Sequence, residues 1–208
     1  MQFYLTYEGP LYGSSRSNTR PEHKHEIRRR FHKQLGKLWE ITWLKDMKFG
    51  SWDAYRARID PNTPQRDGLA QLFNRGKYRF VPLVPEYLNL TCSLDVLFLR
   101  PDPPGRLIQT ADIDARLKTL FDALKVPNDT DQLGKYKDQE PQLDEDPFYC
   151  LLEDDQLITH ISVKTGILFE PTPDAVSQNE IKNDARLVID VHIAPYQLLM
   201  GNIAFGGG

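Results

Sequence analysis

The stretch LNLTCSLDVLF, residues 88–98, carries the clearest strand pattern in the sequence. Its apolar residues occupy every second position from Leu88 to Phe98, and Asn, Thr, Ser and Asp occupy the first four positions between them. Because successive side chains of a strand point to opposite faces, this alternation predicts a strand with one face in the core and the other in water. The segment RPDPPG at residues 100–105 ends it.

Shorter strand patterns lie on both sides of this one. They cover residues 3–7, 78–84, 148–152, 157–165 and 185–193. Residues 78–84 are interpreted as the hairpin partner of the 88–98 strand, and Pro82 indicates an edge position.

Helical spacing of apolar residues predicts two principal helices, at 22–44 and 112–125. The charged residues of the first helix, such as Arg28, Arg29, His32 and Lys33, are expected on its outer face. Two short helices are expected at 52–59, with Ser51 as a cap, and at 63–76.

These elements predict an α+β fold, in which a mixed, mostly antiparallel sheet of about five or six strands packs against two principal helices. The chain has 208 residues, a length that favours one domain. We expect this domain to cover residues 1–200, with insertions at about 45–77 and 127–147. Residues 201–208 are expected to form a flexible C-terminal tail.

The composition bears on membrane association and on the cellular compartment of the protein. No apolar run reaches the roughly 18 residues that a membrane span needs, and the start of the chain has no basic region followed by a long apolar block. The two cysteines form no CxxC pair and are expected to be buried free thiols. We therefore expect a cytoplasmic protein that does not bind a membrane.

The net charge of −3 hides two segments of opposite sign. Residues 16–37 contain eight Lys or Arg against two Glu, whereas residues 128–155 contain ten Asp or Glu against two Lys. Charges on a long helix often serve only solvation. However, basic residues interleaved with Ser and Asn are also typical of phosphate contacts.

The segment TADIDARLKTLFDAL, residues 110–124, places two aspartates at the start of the second helix. Asp114, Lys118 and Asp122 are four residues apart and therefore share one face. An ordinary explanation is available, since acidic residues in a first helical turn complement the helix dipole.

A second acidic group, EDD at residues 153–155, lies between the apolar stretches FYCLL and LITHI. Aspartates are common in turns. However, a cluster of carboxylates is costly unless a cation lies among them, and Mg²⁺ often binds carboxylates from different elements. The two acidic groups are therefore candidates either for caps and turns or for one metal site.

Together these segments resemble the RusA family of Holliday junction resolvases. That family carries Asp-x-Asp at a helix start, a lysine four residues after the second Asp, Asp-Ala-Leu one turn later, and Asp-Asp-x-x-Ile or Val before a strand. The matching residues here are Asp112, Asp114, Lys118, Asp122-Ala123-Leu124, Asp154-Asp155 and Ile158. The chain departs from the family at Ala115, where Asn is common, and in the long 127–147 segment.

The resemblance implies a homodimeric, Mg²⁺-dependent endonuclease that cuts branched DNA in recombination or repair, with Mn²⁺ as an alternative metal. Asp112, Asp114, Asp154 and Asp155 would bind the metal, and Asp112, Asp114, Lys118 and Asp155 would be catalytic. From charge alone, the residues expected to hold the DNA are Arg16, Arg20, Lys24, Arg28, Arg29, Arg30 and Lys33.

Other functions remain open. The chain is alternatively a RusA-like nucleic-acid-binding or regulatory protein without activity, or an interaction protein whose acidic 127–147 segment orders on binding a basic partner. A sugar-nucleotide transferase is disfavoured, because no nucleotide-binding fingerprint is visible. His160 and Trp39 are interpreted as an incidental surface residue and a packing residue, although proton transfer and base stacking are the functional alternatives.

Overall fold

The structure is a computed structural model that describes residues 1–14, 19–41, 43–48, 59–60, 62–101, 112–173 and 175–206. Among the side chains nominated above, that of Arg16 and that of Asp112 lie outside this description, although the backbone of Asp112 is included. Most of the short helix expected at 52–59 also falls outside it.

The described chain is an α+β structure with two mixed sheets rather than one. Strands β1 to β7 span Gln2–Pro10, Phe73–Arg75, Tyr78–Val84, Leu90–Arg100, Phe148–Leu152, Ile158–Ile167 and Asp184–Pro195. Helices α1 to α4 span Pro21–Ile41, Gln65–Leu72, Asp112–Leu124 and Gln178–Asn183. No helix in the described ranges is both long enough and apolar enough to cross a membrane.

The four-stranded sheet has the order β1-β7-β4-β6, and β4 is one of its two inner strands. Strand β4 pairs antiparallel with β7 and parallel with β6. Its apolar positions from Leu90 to Phe98 are buried and the alternate positions are more exposed. The predicted alternation of this strand is confirmed.

The predicted hairpin between residues 78–84 and β4 is wrong. Strand β3 instead pairs antiparallel with β2 and parallel with β5, in a separate three-stranded sheet. Between β3 and β4 the chain passes through the 3-10 helix Glu86–Leu88 and through Asn89 in the left-handed conformation, which directs it into the other sheet. Pro82 lies beyond the end of β2, where β5 is the only described strand that pairs with β3 and a proline is tolerated.

Helix α1 packs on both sheets, so two of its sides are buried. Ile27 and Phe31 lie on the side that faces the four-stranded sheet, where Phe31 contacts Tyr7 of β1. His25 and His32 lie on the other side, against Phe148 of β5. Fewer polar and charged residues of this helix are therefore exposed than the sequence analysis expected.

Residues 201–206, which the sequence predicts as part of a flexible tail at 201–208, are packed, and residues 207 and 208 lie outside the described ranges. Residues 203–206 form a 3-10 helix, and Phe205 is only 2% exposed. Asn202 donates hydrogen bonds to the carbonyls of Leu88 and Gln197, at 2.6 and 2.8 Å. An aromatic side chain and a buried amide thus hold residues 201–206 against β7 and the 3-10 helix Glu86–Leu88.

We expect Phe205→Ala to lower the free energy of unfolding by about 3 kcal/mol, because it removes a buried ring and leaves a cavity. Ile203→Ala is the matched control: it removes an apolar side chain that is 60% exposed in the same 3-10 helix. Urea unfolding of both variants measures the difference, and equal stabilities would mean that the end of the chain is loose.

Candidate metal and nucleic-acid site

The first acidic segment lies on α3, whose N-terminal half is held by the residues that follow β1. The amide of Ser14 donates to the carbonyl of Ala115 at 2.9 Å, and the hydroxyl of Thr119 donates to the carbonyl of Tyr12 at 2.8 Å. A Cβ atom added to Gly13 would lie 2.9 Å from the Cβ of Ala115. This close approach explains why small residues occupy both positions.

The three charged residues four apart on α3 separate in the structure. Asp114 is exposed in the first turn, and Lys118 is partly buried one turn later. Asp122 is buried, and its carboxylate lies 2.8 Å from the ammonium of Lys24 on α1. Asp122 therefore joins α3 to α1 rather than extending the exposed acidic face.

The second acidic segment is organised around a residue that the sequence interpretation missed, Lys125. Its ammonium lies 2.7 Å from Oδ1 of Asp155 and 3.1 Å from Oδ2 of Asp154. The other oxygen of Asp154 accepts from the amide of Gln156 at 3.0 Å, so Asp154 also caps the 3-10 helix Asp155–Leu157. Each of these two carboxylates is about one-third exposed.

This arrangement shifts the pKa values of its members. Burial alone would lower the pKa of Lys125, but the hydrogen bonds from Lys125 to Asp155 and Asp154 outweigh it and raise that pKa above its ordinary value. Burial alone would raise the pKa of Asp155, but the same ammonium outweighs it and lowers that pKa. The neighbouring Glu153 behaves differently: burial raises its pKa, although it accepts from the amide of Glu86.

Lys125 itself is fixed by its backbone. The main chain at Lys125 forms a bridge to Leu152 at the end of β5, and the amide of Val126 donates to the Leu152 carbonyl at 3.0 Å. The carbonyl of Lys125 accepts from Nε of Arg28 at 3.1 Å. A lysine immediately after the Asp-Ala-Leu motif was the available signal in the sequence.

Helix α3, which carries the first acidic segment at its start, contacts the 3-10 helix Asp155–Leu157, next to the second acidic segment. Asp114 and Lys125 nevertheless lie at opposite ends of α3, about 16 Å apart along its axis. Within the described residues, no three His, Cys, Asp or Glu side chains come close enough to hold a metal ion. Since the side chain of Asp112 is not among them, the four-aspartate site stays a prediction.

The donor chemistry fits Mg²⁺ in one respect. Asp154 and Asp155 offer hard oxygen atoms side by side, and Mg²⁺ commonly uses one or two carboxylates and keeps several waters. In the structure, Lys125 supplies part of the positive charge that the sequence argument assigned to a metal.

The structure corrects the DNA-binding role expected for Lys24 and Arg28, because both side chains are buried. Arg28 donates to the carbonyls of Asp122 and Lys125, at 2.7 and 3.1 Å, and Lys24 pairs with the Asp122 carboxylate. These two cations bind the end of α3 and are not available to a phosphate.

Arg29 is also used inside the fold. Its guanidinium lies 2.6 Å from the buried carboxylate of Glu145 and packs over the ring of Tyr136, 4.4 Å from the ring centre. Both of these partners belong to the 127–147 segment, so the expectation that this segment orders only on binding a basic partner is corrected. Its basic partner is α1 of the same chain.

His32 reinforces the same contact. Its Nδ1 accepts from the amide of Tyr149 at 2.9 Å, so its Nε2 carries the proton and donates to the carbonyl of Asp144 at 2.8 Å. Burial is the main cause that lowers the pKa of His32 and keeps the ring neutral. The 127–147 segment is therefore held against α1 by directional hydrogen bonds as well as by charge.

The basic residues that remain exposed on α1 form a stripe at helical spacing, which we call the basic stripe: Arg30, Lys33 and Lys37. Lys37 belongs to the basic segment of the sequence but was not nominated for DNA contact. Arg20 lies just before the helix, with its guanidinium 4.9 Å from the centre of the Tyr12 ring. The surface for a polyanion is thus narrower than the sequence suggested.

Two further candidates are placed by the structure. Trp39 is buried and packs against Tyr149, which confirms its assignment to the core. His160 is exposed on β6, with its Nε2 4.0 Å from a carboxylate oxygen of Asp95. This position does not link His160 to either acidic segment.

A comparison of the chain with family models, with curated proteins and with solved structures finds no match in any of the three.

We expect Lys125→Met to lower the free energy of unfolding by about 2 kcal/mol at pH 7, because it leaves two partly buried carboxylates without their cation. Since the folded pKa of Asp155 is depressed, this contribution is present above its ordinary pKa and is lost as pH falls through the folded value. Urea unfolding from pH 7 to pH 3, with EDTA present, measures both effects.

Lys182→Met, at an exposed position of α4, is the matched control and should have little effect at any pH. A Lys125→Met penalty that stayed constant down to pH 3 would contradict the assigned role of the two aspartates.

Proposed function

We propose that the protein is a Mg²⁺-dependent endonuclease that cuts branched DNA and acts as a homodimer, as its resemblance to the RusA family implies. The observation that carries the proposal is the contact of α3 with the 3-10 helix Asp155–Leu157. This contact brings the helix that begins with the first acidic segment against the second acidic segment, which comes about forty residues later in the sequence. The motif residues in both segments are the ones that the resemblance requires.

In this proposal Asp112, Asp114, Asp154 and Asp155 hold the metal. When bound, Mg²⁺ would lower the pKa of a water and stabilise negative charge at the scissile phosphate. Lys118, one turn after Asp114, would contact that phosphate. Lys125 keeps Asp154 and Asp155 side by side and limits the repulsion between them.

The basic stripe and Arg20 would hold the DNA backbone. Arg30, Lys33 and Lys37 are exposed on the same side of α1, and Arg28 of that helix bonds to the end of α3. At helical spacing, the basic stripe lies on the side of α1 opposite Arg28. In this proposal the DNA backbone therefore contacts a surface of α1 that faces away from α3.

A second candidate is a nucleic-acid-binding protein of the same fold that does not cleave. It is favoured by Lys125, which already compensates part of the charge of Asp154 and Asp155 without a metal.

Incubation with a synthetic four-way junction, a fork and a linear duplex in Mg²⁺ separates the two candidates. We expect the enzyme to cut the branched substrates and Asp114→Asn to lower the rate about 100-fold or more, because a metal ligand matters at least as much as the groups that orient one. Asp138→Asn, at an exposed position outside residues 112–114 and 153–155, is the matched control. Binding without cleavage of any substrate would favour the second candidate.

Replacing Arg30, Lys33 and Lys37 together by Ala should weaken DNA binding and reduce its salt dependence. Each lost phosphate contact lowers the slope of log affinity against log salt concentration by about one, so we expect a decrease of about two to three. Filter binding or fluorescence anisotropy across a salt series provides the measurement.

A triple Ala variant of Lys77, Lys137 and Lys182, which are exposed and lie outside α1, matches the change in net charge. If both triple variants gave the same slope, net charge rather than the basic stripe would govern binding.

A further inference from the structure

The four-stranded sheet has two edge strands, and the fold treats them differently. At the β1 edge, the side-chain amide of Gln34 on α1 imitates a neighbouring strand. Its Oε1 accepts from the amide of Thr6 at 2.9 Å, and its Nε2 donates to the carbonyl of Thr6 at 2.7 Å. This pair of bonds blocks the middle of that edge.

The β6 edge carries no such block within the described part of the chain. Strand β6 has ten residues, Ile158–Ile167, and pairs only with β4. It contains no proline, and every second residue of a strand in a parallel pair directs its amide and carbonyl away from that partner. A long edge of this kind is a template for pairing with another strand.

The side chains of β6 also extend beyond the core. Ile161 and Ile167 lie on the face that β4 directs into the core, opposite Leu94 and Arg100, yet they are 40% and 37% exposed. The core of one chain therefore does not cover the inner face of its own edge strand.

We propose that β6 pairs antiparallel with β6 of a second copy of the chain, about a two-fold axis at Val163. The axis is perpendicular to the sheet, so the inner face of one copy continues into the inner face of the other. Two four-stranded sheets then become one continuous sheet.

The register follows from the side chains. With Val163 on the axis, Ile161 faces Thr165 of the second copy and Ser162 faces Lys164 of the second copy. No two charged residues of like sign are then opposite each other. Centring the axis on Ser162 would instead place His160 opposite Lys164, two long side chains that both carry hydrogen-bond donors.

A second copy fits this edge better than an unrelated extended peptide does. The sequence ITHISVKTGI is compatible with itself in the antiparallel direction: β-branched residues meet on the inner face, and neutral residues meet Lys164 and His160 on the outer face. The interface requires no contribution from the acidic segments. It therefore stands or falls separately from the proposed nuclease chemistry.

A disulfide across the axis tests the register. Residues directly opposite each other in an antiparallel pair have Cα atoms about 4.5–5.5 Å apart, within the range that a disulfide spans. Val163→Cys should therefore form a covalent dimer under mild oxidation. The native Cys92 and Cys150 are buried and should not contribute.

Ser162→Cys is the matched control, because its two copies would be diagonal neighbours roughly 7–8 Å apart, which is too far for an unstrained bridge. Covalent dimer at Val163 but not at Ser162 is the expected result. Cross-linking at Ser162 instead of Val163, or at neither position, would overturn the proposed pairing.

Sedimentation provides a second measurement that needs no disulfide. The unmodified protein should sediment as a dimer, and Ile161→Lys should shift it to monomer by placing two charges at the joint. Leu97→Lys is the control, since Leu97 is exposed to a similar extent, 37%, on the outer face of β4. A monomeric unmodified protein, or equal effects of both substitutions, would reject the interface.

Discussion

The fold depends on how the cations buried along α1 are neutralised and hydrogen-bonded. Arg28 carries its charge into the interior, where the carbonyls of Asp122 and Lys125 accept its hydrogen bonds and the carboxylate of Asp122 is held by Lys24. Removing one partner of such a group would leave an uncompensated buried charge, which costs several kcal/mol. This constraint fixes the end of α3 on α1. It thereby fixes Lys125 and, through it, Asp154 and Asp155.

The 127–147 segment follows from the same constraint on the other side of the helix. Arg29 and His32 require partners, and Glu145 and the carbonyl of Asp144 supply them. The acidic and basic segments that stand apart in the sequence therefore neutralise each other in part within one chain. The surface that remains for a polyanion is the basic stripe, which contains only some of the basic residues of the segment 16–37.

Elements that depend on a repeating pattern were predictable from the sequence. The alternation of β4 and the apolar spacing of α3 each identify an element, because each face has a single environment. Helix α1 was predicted as a helix, but Arg28 and His32 were expected on its exposed face and are buried. The reason is that His25, Arg28 and His32 also recur at helical spacing and form a second buried side. The pairing of β3 was missed, because it depends on Asn89 turning the chain between two sheets and not on the strand pattern itself. In the candidate site, the role of Lys125 was not predicted, because it depends on a contact with residues about thirty positions away.

Gln34 determines whether the β1 edge of each molecule can pair with another strand. With the β1 edge blocked and the β6 edge open, association of identical chains closes after two copies, since neither outer margin of the joined sheet accepts another strand. A chain that lost the Gln34 amide would expose both margins, and identical molecules could then add end to end without a symmetry that stops growth. One side chain on a helix thus separates a closed pair from an open-ended fibre.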